Sequence, residues 1–328
     1  MRPPPPDFLI LGAPKCGTTS VHATLSGHPQ LFLPGIKEPE YFAVDAPDRT
    51  IKSLRDYRRL FKKARPDQMR GECSVRYLSS KAAVPAILQF RPDAKFIALV
   101  RNPIEMFVSW HNEQLKGLGE DEPSPEIAWR LQTSRAHGIG IPKQCKDPAL
   151  LQYKDVCSLG AQVERLFRLV PVSQRLVVVF DDLKREPQAV YQDIISFLGV
   201  TDDGTTVFAN ENEFARFRSS ILGKIVQRML KSSALRWARV KFQPALSECG
   251  IRPMKWLVEQ ALQPARKPQL SRSFQEELWT AFAPDVRLLS QLLNRDLSDW
   301  QPIDWDREHT CGVGSVTSSN LTNPFRHL

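Results

Sequence analysis

Lys15, Cys16, Gly17, Thr18, Thr19 and Ser20 follow one another in the run Ala13-Pro14-Lys15-Cys16-Gly17-Thr18-Thr19-Ser20. Together they supply one positive charge, a glycine that lets backbone approach a ligand closely, three side-chain hydroxyls and a row of backbone N–H groups. A loop of this kind running into a helix N-terminus is suited to holding a phosphate-like anion. Without a ligand, so many hydroxyl and cationic groups at a buried turn would lack partners. Gly12 and Gly17 have the spacing of the GxxxxGK[ST] phosphate loop, but Thr18 stands where that motif has lysine, and the lysine lies upstream at Lys15. That displacement weakens an ordinary ATP–magnesium site.

A second set lies at Arg101 and Ser109, eight residues apart in LVRNPIEMFVSW. Arginine offers a planar fork for phosphate oxygens, and Ser109 falls two turns along the helix that Pro103 opens. Glu38 beside Lys37 reads, by itself, as a surface ion pair. Asp181 and Asp182 follow an apolar strand and could serve a nucleotide kinase as metal ligands, the nearest rival enzyme. The six cysteines form no CxxC pair and have no His at metal spacing, so no metal is expected.

The elements that must position these groups are legible as apolar runs. Phe8–Gly12, Lys95–Val100 and Arg175–Phe180 read as buried strands, with a shorter one through Met69–Ser74. Helices are predicted over Thr18–Ser26, after Pro103, and over Pro187–Leu198. Continuous apolar strands alternating with helices predict an α/β, P-loop-like three-layer fold with a central parallel sheet flanked by helices. Residues 1–7 read as a proline-rich lead-in, 8–300 as one domain, and 301–328 as a polar tail without structure. Within the domain, 114–155 reads as an insertion or lid, 214–272 as a basic helical segment, and Ser271–Leu293 as a helix pair broken at Pro284.

The chain has 328 residues, 42% hydrophobic and 25% charged, with net charge +9. Thirteen Lys or Arg lie between Phe214 and Arg272 against Glu248 and Glu259. This concentration predicts an anionic partner or a solvated face. A nucleic-acid-binding protein is the non-enzymatic rival, but the stacking aromatics and modules expected of one are missing. The apolar run at Phe8–Leu11 is too short for a signal peptide, and no stretch is long enough to cross a membrane. A cytoplasmic protein with free thiols is expected.

APKCGTTS resembles the 5′-phosphosulfate loop of sulfotransferases that use 3′-phosphoadenylyl sulfate (PAPS), and Arg101 with Ser109 is similar to that family's 3′-phosphate site. Lys37-Glu38-Pro39-Glu40-Tyr41-Phe42, Gly71-Glu72-Cys73-Ser74-Val75-Arg76-Tyr77-Leu78 and Phe180-Asp181-Asp182-Leu183 resemble segments of the heparan-type and bacterial branch. The resemblance covers roughly residues 8 to 300. It implies PAPS as donor and an acceptor hydroxyl or amine, on a carbohydrate or lipid, with no nucleic acid and no metal. It implies Lys15 at the leaving oxygen, Lys15 to Ser20 with Arg101 and Ser109 on the donor, and Glu38 as general base. It further implies Glu72 beside the site, orienting Lys15 or the acceptor, and Arg266 and Lys267 closing over the 3′-phosphate. His111, on the helix after Ser109, is the second candidate for the acceptor side; a satisfied helix histidine is its plainer reading. Cys73 and Val75 depart from the branch, which often has Lys and Pro there, and Glu105-Met106 replaces an acidic–Arg pair. No aromatic residue that would hold adenine is evident.

Overall fold

The structure is a computed structural model and describes residues 5–206, 208, 215–217, 262–264 and 267–302. Five strands form one parallel sheet: β1 (Phe8–Gly12), β2 (Leu31–Phe32), β3 (Met69–Cys73), β4 (Lys95–Val100) and β5 (Arg175–Val179), in the order β2-β3-β1-β4-β5. Phe8 to Leu11 are fully buried. Because successive side chains point to opposite faces, both faces of β1 must be covered. Helix α1 (Thr18–Leu25) follows β1; α2 (Leu54–Arg59) and α3 (Ala83–Phe90) flank β3; α4 (Pro103–Gly117) follows β4. The chain runs from β1 toward β3 on one side and from β4 toward β5 on the other. The β1 and β4 C-termini therefore border the crevice where open α/β sheets bind ligands. No helix among the described residues is long and apolar enough to cross a membrane.

Three expectations need correction. The 114–155 stretch, read as an insertion or lid of few clear periods, is largely regular. It holds α5 (Pro125–Arg130), α6 (Gln132–Ala136), a 3-10 turn at Pro148–Leu151 and the start of α7 (Tyr153–Cys157), with α5 and α7 packed on α4. Arg135 and Glu120 form a buried bidentate pair at 2.5 and 2.7 Å, and Tyr153 donates to the same carboxylate. Short helices with polar turns hide their periodicity, and burial of this network is a tertiary event. Second, Ser271–Leu293 is one helix. After α8 (Leu159–Leu169), α9 (Phe180–Arg185), α10 (Pro187–Leu198) and the short antiparallel strands β6 (Ala215–Phe217) and β7 (Leu262–Pro264), α11 spans Arg272–Leu293 with Pro284 inside. Phe274, Leu278 and Phe282 before the proline, and Val286 and Leu289 after it, are buried on one continuous stripe, which offsets the lost backbone hydrogen bond. Asp285 accepts from the Gly160 and Ala161 N–H groups at 2.7 and 2.9 Å and locks α11 to the start of α8. Third, Asp7 belongs to the fold: its carboxylate takes the Arg70 guanidinium at 2.8 and 2.9 Å. Burial alone would raise the pKa of Asp7, but Arg70 outweighs it and holds the carboxyl below its usual range.

Most of the basic segment lies outside the described residues, as do Arg266, Cys249, Cys311 and the tail beyond Pro302; β6 and β7 show that the segment is not helical throughout. Cys16, Cys73, Cys145 and Cys157 are free thiols, so Cys145 and Cys157 are not bridged.

Candidate active site

The loop between β1 and α1 is shaped by two glycines. Gly12 has φ +117°, and a side chain there would meet the Val75 carbonyl oxygen at 2.3 Å, so the loop lies tight against the segment after β3. Gly17 has φ +89° and is the N-cap of α1; a Cβ would meet Leu183 at 2.7 Å and Phe180 at 3.0 Å. Gly17 offers no side-chain cap, and the first turn of α1 holds no acidic residue. The N–H groups at the start of α1 have no intrahelical acceptor, and the helix dipole at that end favours an anion. The Cys16 side chain points away into the core, against the Pro14 carbonyl and the Met106 sulfur. Burial pushes its thiol up to about 12, against the opposing charges of Arg101 and Lys15. Cys16 is therefore inert, and its contribution to the loop is backbone. Thr18 is buried as well, while Ser20 faces the crevice.

Arg101 leaves the end of β4 and reaches back to this loop. Its Nη1 donates to the Lys15 carbonyl at 2.8 Å, its other nitrogens donate to Glu105, and its guanidinium lies 4.4 Å from the Phe180 ring centroid. Asn102 caps α4 through the Ile104 N–H at 3.0 Å and donates to the Trp300 carbonyl at 2.9 Å. From this cap, Glu105, Ser109, Asn112 and Lys116 fall on the face of α4 that looks into the crevice, as three- and four-residue steps require. Lys15 Nζ is 3.1 Å from Glu113 Oε2, and Lys116 Nζ is 3.4 Å from the same oxygen. Burial would raise the Glu113 pKa, but the two ammonium groups hold it below its usual range.

Lys15, Ser20, Arg101, Ser109, Lys116 and Lys267 help to line a cavity of about 670 Å³, to which Val21, Leu183, Val190, Tyr191, Ile194 and Phe208 add apolar surface. The volume lies within the usual range for a small-molecule site. The cationic and hydroxyl groups fit two separate anionic groups, one at the α1 N-terminus and one at Arg101 and Ser109. The apolar lining fits a flat ring.

A family model described as the sulfotransferase domain matches residues 5–248. The chain belongs to the sulfotransferase family. It is 26% identical over 205 residues to bifunctional heparan sulfate N-deacetylase/N-sulfotransferase 2 of Bos taurus, covering 60% of this chain and 22% of the relative. It is 28% identical over 198 residues to heparan sulfate glucosamine 3-O-sulfotransferase 6 of Homo sapiens, covering 60% of this chain and 52% of the relative. The chain thus spans about a fifth of the first relative and about half of the second. The crystal structure of a sulfotransferase from Alicyclobacillus acidocaldarius superposes with TM-score 0.65 at 27% identity, over 92% of this chain and all of that one.

In this sulfotransferase Lys15, Gly17, Ser20, Arg101, Ser109 and Lys267 line one cavity, while Cys16, Thr18 and Thr19, in the same loop and first helical turn, are not among its lining residues. Glu38 stands apart from that lining. Its Oε1 takes Lys37 Nζ at 2.7 Å, its Oε2 accepts from the Val75 N–H at 2.8 Å, and its own N–H donates to the Cys73 carbonyl at 2.9 Å. Val75 therefore joins Glu38 to the Gly12 turn below Lys15. The Lys37 charge also feels Glu113, the partner of Lys15, so Glu38, Lys37, Glu113 and Lys15 are electrostatically linked.

One alternative for Glu72 and the place of His111 fail on geometry. Glu72 does not orient Lys15: it is fully buried under the sheet end, where Tyr57 and Ser74 donate to it, and Lys15 is held by Glu113. Burial pushes Glu72 up to about 7 despite those hydroxyl donors. His111 does not reach the cavity. It sits about 200° round α4 from Ser109, is 1% exposed, and bonds the Glu122 carbonyl at 2.9 Å. Asp181 and Asp182 are committed to Trp300, at 2.8 Å, and to Arg295, not turned to a nucleotide. Sequence reading missed Glu113, Lys116 and the apolar wall. Glu113, at Ser109 plus four, could have been found by extending the helical face; Tyr191 and Phe208 could not, since only the tertiary fold brings Tyr191 of α10, with the Phe208 ring against it, to the cavity. Cys73 is buried with its sulfur 4.0 Å from the Thr18 carbonyl and takes no part in the lining.

Proposed function

We propose that this sulfotransferase takes the sulfuryl group from PAPS and passes it to a hydroxyl or amine of a carbohydrate acceptor. One observation carries the donor assignment: a single cavity holds a helix N-terminus with Lys15, a second cationic point at Arg101, Ser109 and Lys267, and an apolar wall with Tyr191 and Phe208. PAPS presents a 5′-phosphosulfate, a 3′-phosphate and an adenine, which match these three features. The acceptor class rests on the two heparan sulfate relatives.

Sulfuryl transfer needs the acceptor oxygen or nitrogen, the sulfur and the leaving oxygen in line, with the developing charge stabilised. The N–H groups at the α1 start hold the 5′-phosphate. Lys15 moves from Glu113 to neutralise the bridging oxygen as the sulfur–oxygen bond breaks and 3′,5′-ADP leaves. Arg101, braced by the Lys15 carbonyl and stacked on Phe180, meets the 3′-phosphate with Ser109 and Lys267. Glu38 takes the acceptor proton, for which its Oε1 must exchange Lys37 for the acceptor.

Calorimetry with 3′,5′-ADP, ADP and ATP–magnesium tests the donor. A clear preference for 3′,5′-ADP is expected, lost in Lys15→Ala and weakened in Arg101→Ala. Equal or tighter binding of ATP–magnesium would sink the PAPS reading. Heparosan and its N-deacetylated form, supplied with ³⁵S-labelled PAPS, test the acceptor; label that stays off both polysaccharides while transferring to a lipid hydroxyl overturns the carbohydrate assignment.

A further inference from the structure

Glu38 and Glu40 both have left-handed backbone, with φ of 61° and 54°. Residues with a Cβ disfavour that conformation, so the surroundings must hold it. The anchors run to the segment after β3. The Glu40 N–H donates to Ser74 Oγ at 3.0 Å and the Phe42 N–H donates to Tyr77 Oη at 3.2 Å. A hydroxyl can turn a lone pair to an amide only if its own proton goes elsewhere. The Ser74 proton goes to Glu72 Oε1 at 2.8 Å, and the Tyr77 hydroxyl lies within the electrostatic reach of the same carboxyl. Tyr57 donates to Glu72 Oε2, and its ring stacks on Tyr41 at 4.6 Å between centroids. Every arm of this cluster thus ends on the segment 38–42.

We propose that Glu72 is a positioning residue for the acceptor side of the site: its buried carboxylate orients the Ser74 and Tyr77 hydroxyls, and these clamp the segment that carries Glu38. The catalytic meaning of the clamp rests on Glu38 being the base; the clamp itself does not. A carboxylate with no exposed surface is a costly way to fill a core, since apolar side chains of similar size often pack there without loss of stability. Its use here is directional. It accepts from Tyr57 on one oxygen and Ser74 on the other, and once the carboxyl is ionised, above about 7, such charge-assisted bonds are shorter and stronger than neutral ones. Removing it frees the hydroxyl protons to turn and releases the amides of Glu40 and Phe42.

The test is hydrogen exchange at the amides of Glu40 and Phe42 in the full chain, together with 3′,5′-ADP affinity, for Glu72→Gln, Ser74→Ala, Ser74→Thr and Tyr77→Phe. Glu72→Gln is expected to speed exchange at both amides by about tenfold while 3′,5′-ADP affinity stays within about twofold of wild type. Ser74→Ala should free Glu40 alone and Tyr77→Phe should free Phe42 alone, while Ser74→Thr, which keeps the hydroxyl, restores protection at Glu40. Wild-type exchange in both Glu72→Gln and Ser74→Ala overturns the proposal. So does acceleration spread equally over β1 and β4, which would make Glu72 ordinary core. Should Glu72→Gln not fold, the Ser74 pair decides. Glu38→Gln, assayed in parallel for sulfuryl transfer, separates the two readings. Turnover surviving in Glu38→Gln defeats the base assignment and leaves the exchange result standing. Turnover lost there, with exchange unchanged in the clamp variants, defeats the clamp alone.

Discussion

Lys15 is placed between two partners that compete for it. In the structure its ammonium sits on Glu113; in the proposed reaction it must reach the leaving oxygen. Loss of one electrostatic contact to a transition state costs about 3–4 kcal/mol, so Lys15→Ala should lower kcat by two orders of magnitude or more at saturating donor. Glu113→Gln tests the competition from the other side. Removing a carboxylate that draws Lys15 away from the phosphates is expected to tighten 3′,5′-ADP binding by about three- to tenfold, read by calorimetry at low salt; weaker binding would mean that Glu113 supports the donor site. Glu38→Gln should keep 3′,5′-ADP affinity and lose turnover by about 10²–10⁴-fold; near-normal turnover would place the base elsewhere.

At the scale of elements, the site is a junction of β1, α1, β4, α4 and α9. The β1 loop is pinned from three directions: Gly12 against Val75, Gly17 against Phe180 and Leu183, and the Lys15 carbonyl by Arg101. Gly17→Ala tests how much this junction matters. A Cβ there meets Leu183 at 2.7 Å on a backbone with φ +89°, which should cost about 1–3 kcal/mol. Because α9 would be pushed from the cavity, 3′,5′-ADP affinity should fall as well; a variant with wild-type thermal stability and affinity would show that the loop has another accessible form. Strands β1, β3, β4 and β5, the β1 loop and the start of α4 were legible in the sequence because each is a local pattern: a continuous apolar run, a glycine, a proline at a helix start; the two-residue β2 was too short to show one. The continuity of α11 through Pro284 and the packing of 114–155 were not legible. Both depend on apolar surface supplied by other parts of the chain, which outweighs the local signal of a proline or of a polar, aperiodic stretch.

For the whole molecule, buried carboxyls set how stability varies with pH. Asp7, Glu113 and Glu120 are held below their usual range, the pull of burial being overcome by Arg70, by Lys15 and Lys116, and by Arg135 with Tyr153. Their contribution is complete above the ordinary carboxyl values and is lost as the pH falls through their lowered values. Glu40 and Glu72 are pushed the other way, up to about 7, chiefly by burial. The folded chain then holds protons that the unfolded chain has released, so stability declines as the pH rises from their ordinary value of 4.5 through about 7. Urea unfolding between pH 3 and 9 should therefore show a maximum on the acid side of neutrality. The decline above it should be shallower in Glu72→Gln, because the amide does not ionise; an unchanged slope would mean that Glu72 is already charged at pH 5.

The sequence by itself determined the family-level chemistry. Lys15 ahead of Gly17-Thr18-Thr19, and Arg101 eight residues before Ser109, are spacings that a strand–loop–helix unit converts directly into geometry, because the helix repeat leaves little freedom over eight residues. It also carried Glu38 as a candidate, through resemblance. Only the tertiary structure decided what those residues touch. Glu113 on Lys15, Glu105 on Arg101, the apolar wall at Tyr191 and Phe208, and the burial of Glu72 and His111 are contacts between segments tens of residues apart. A residue type states what chemistry is possible; the direction of its side chain and the charge beside it are set by packing, which no local pattern encodes.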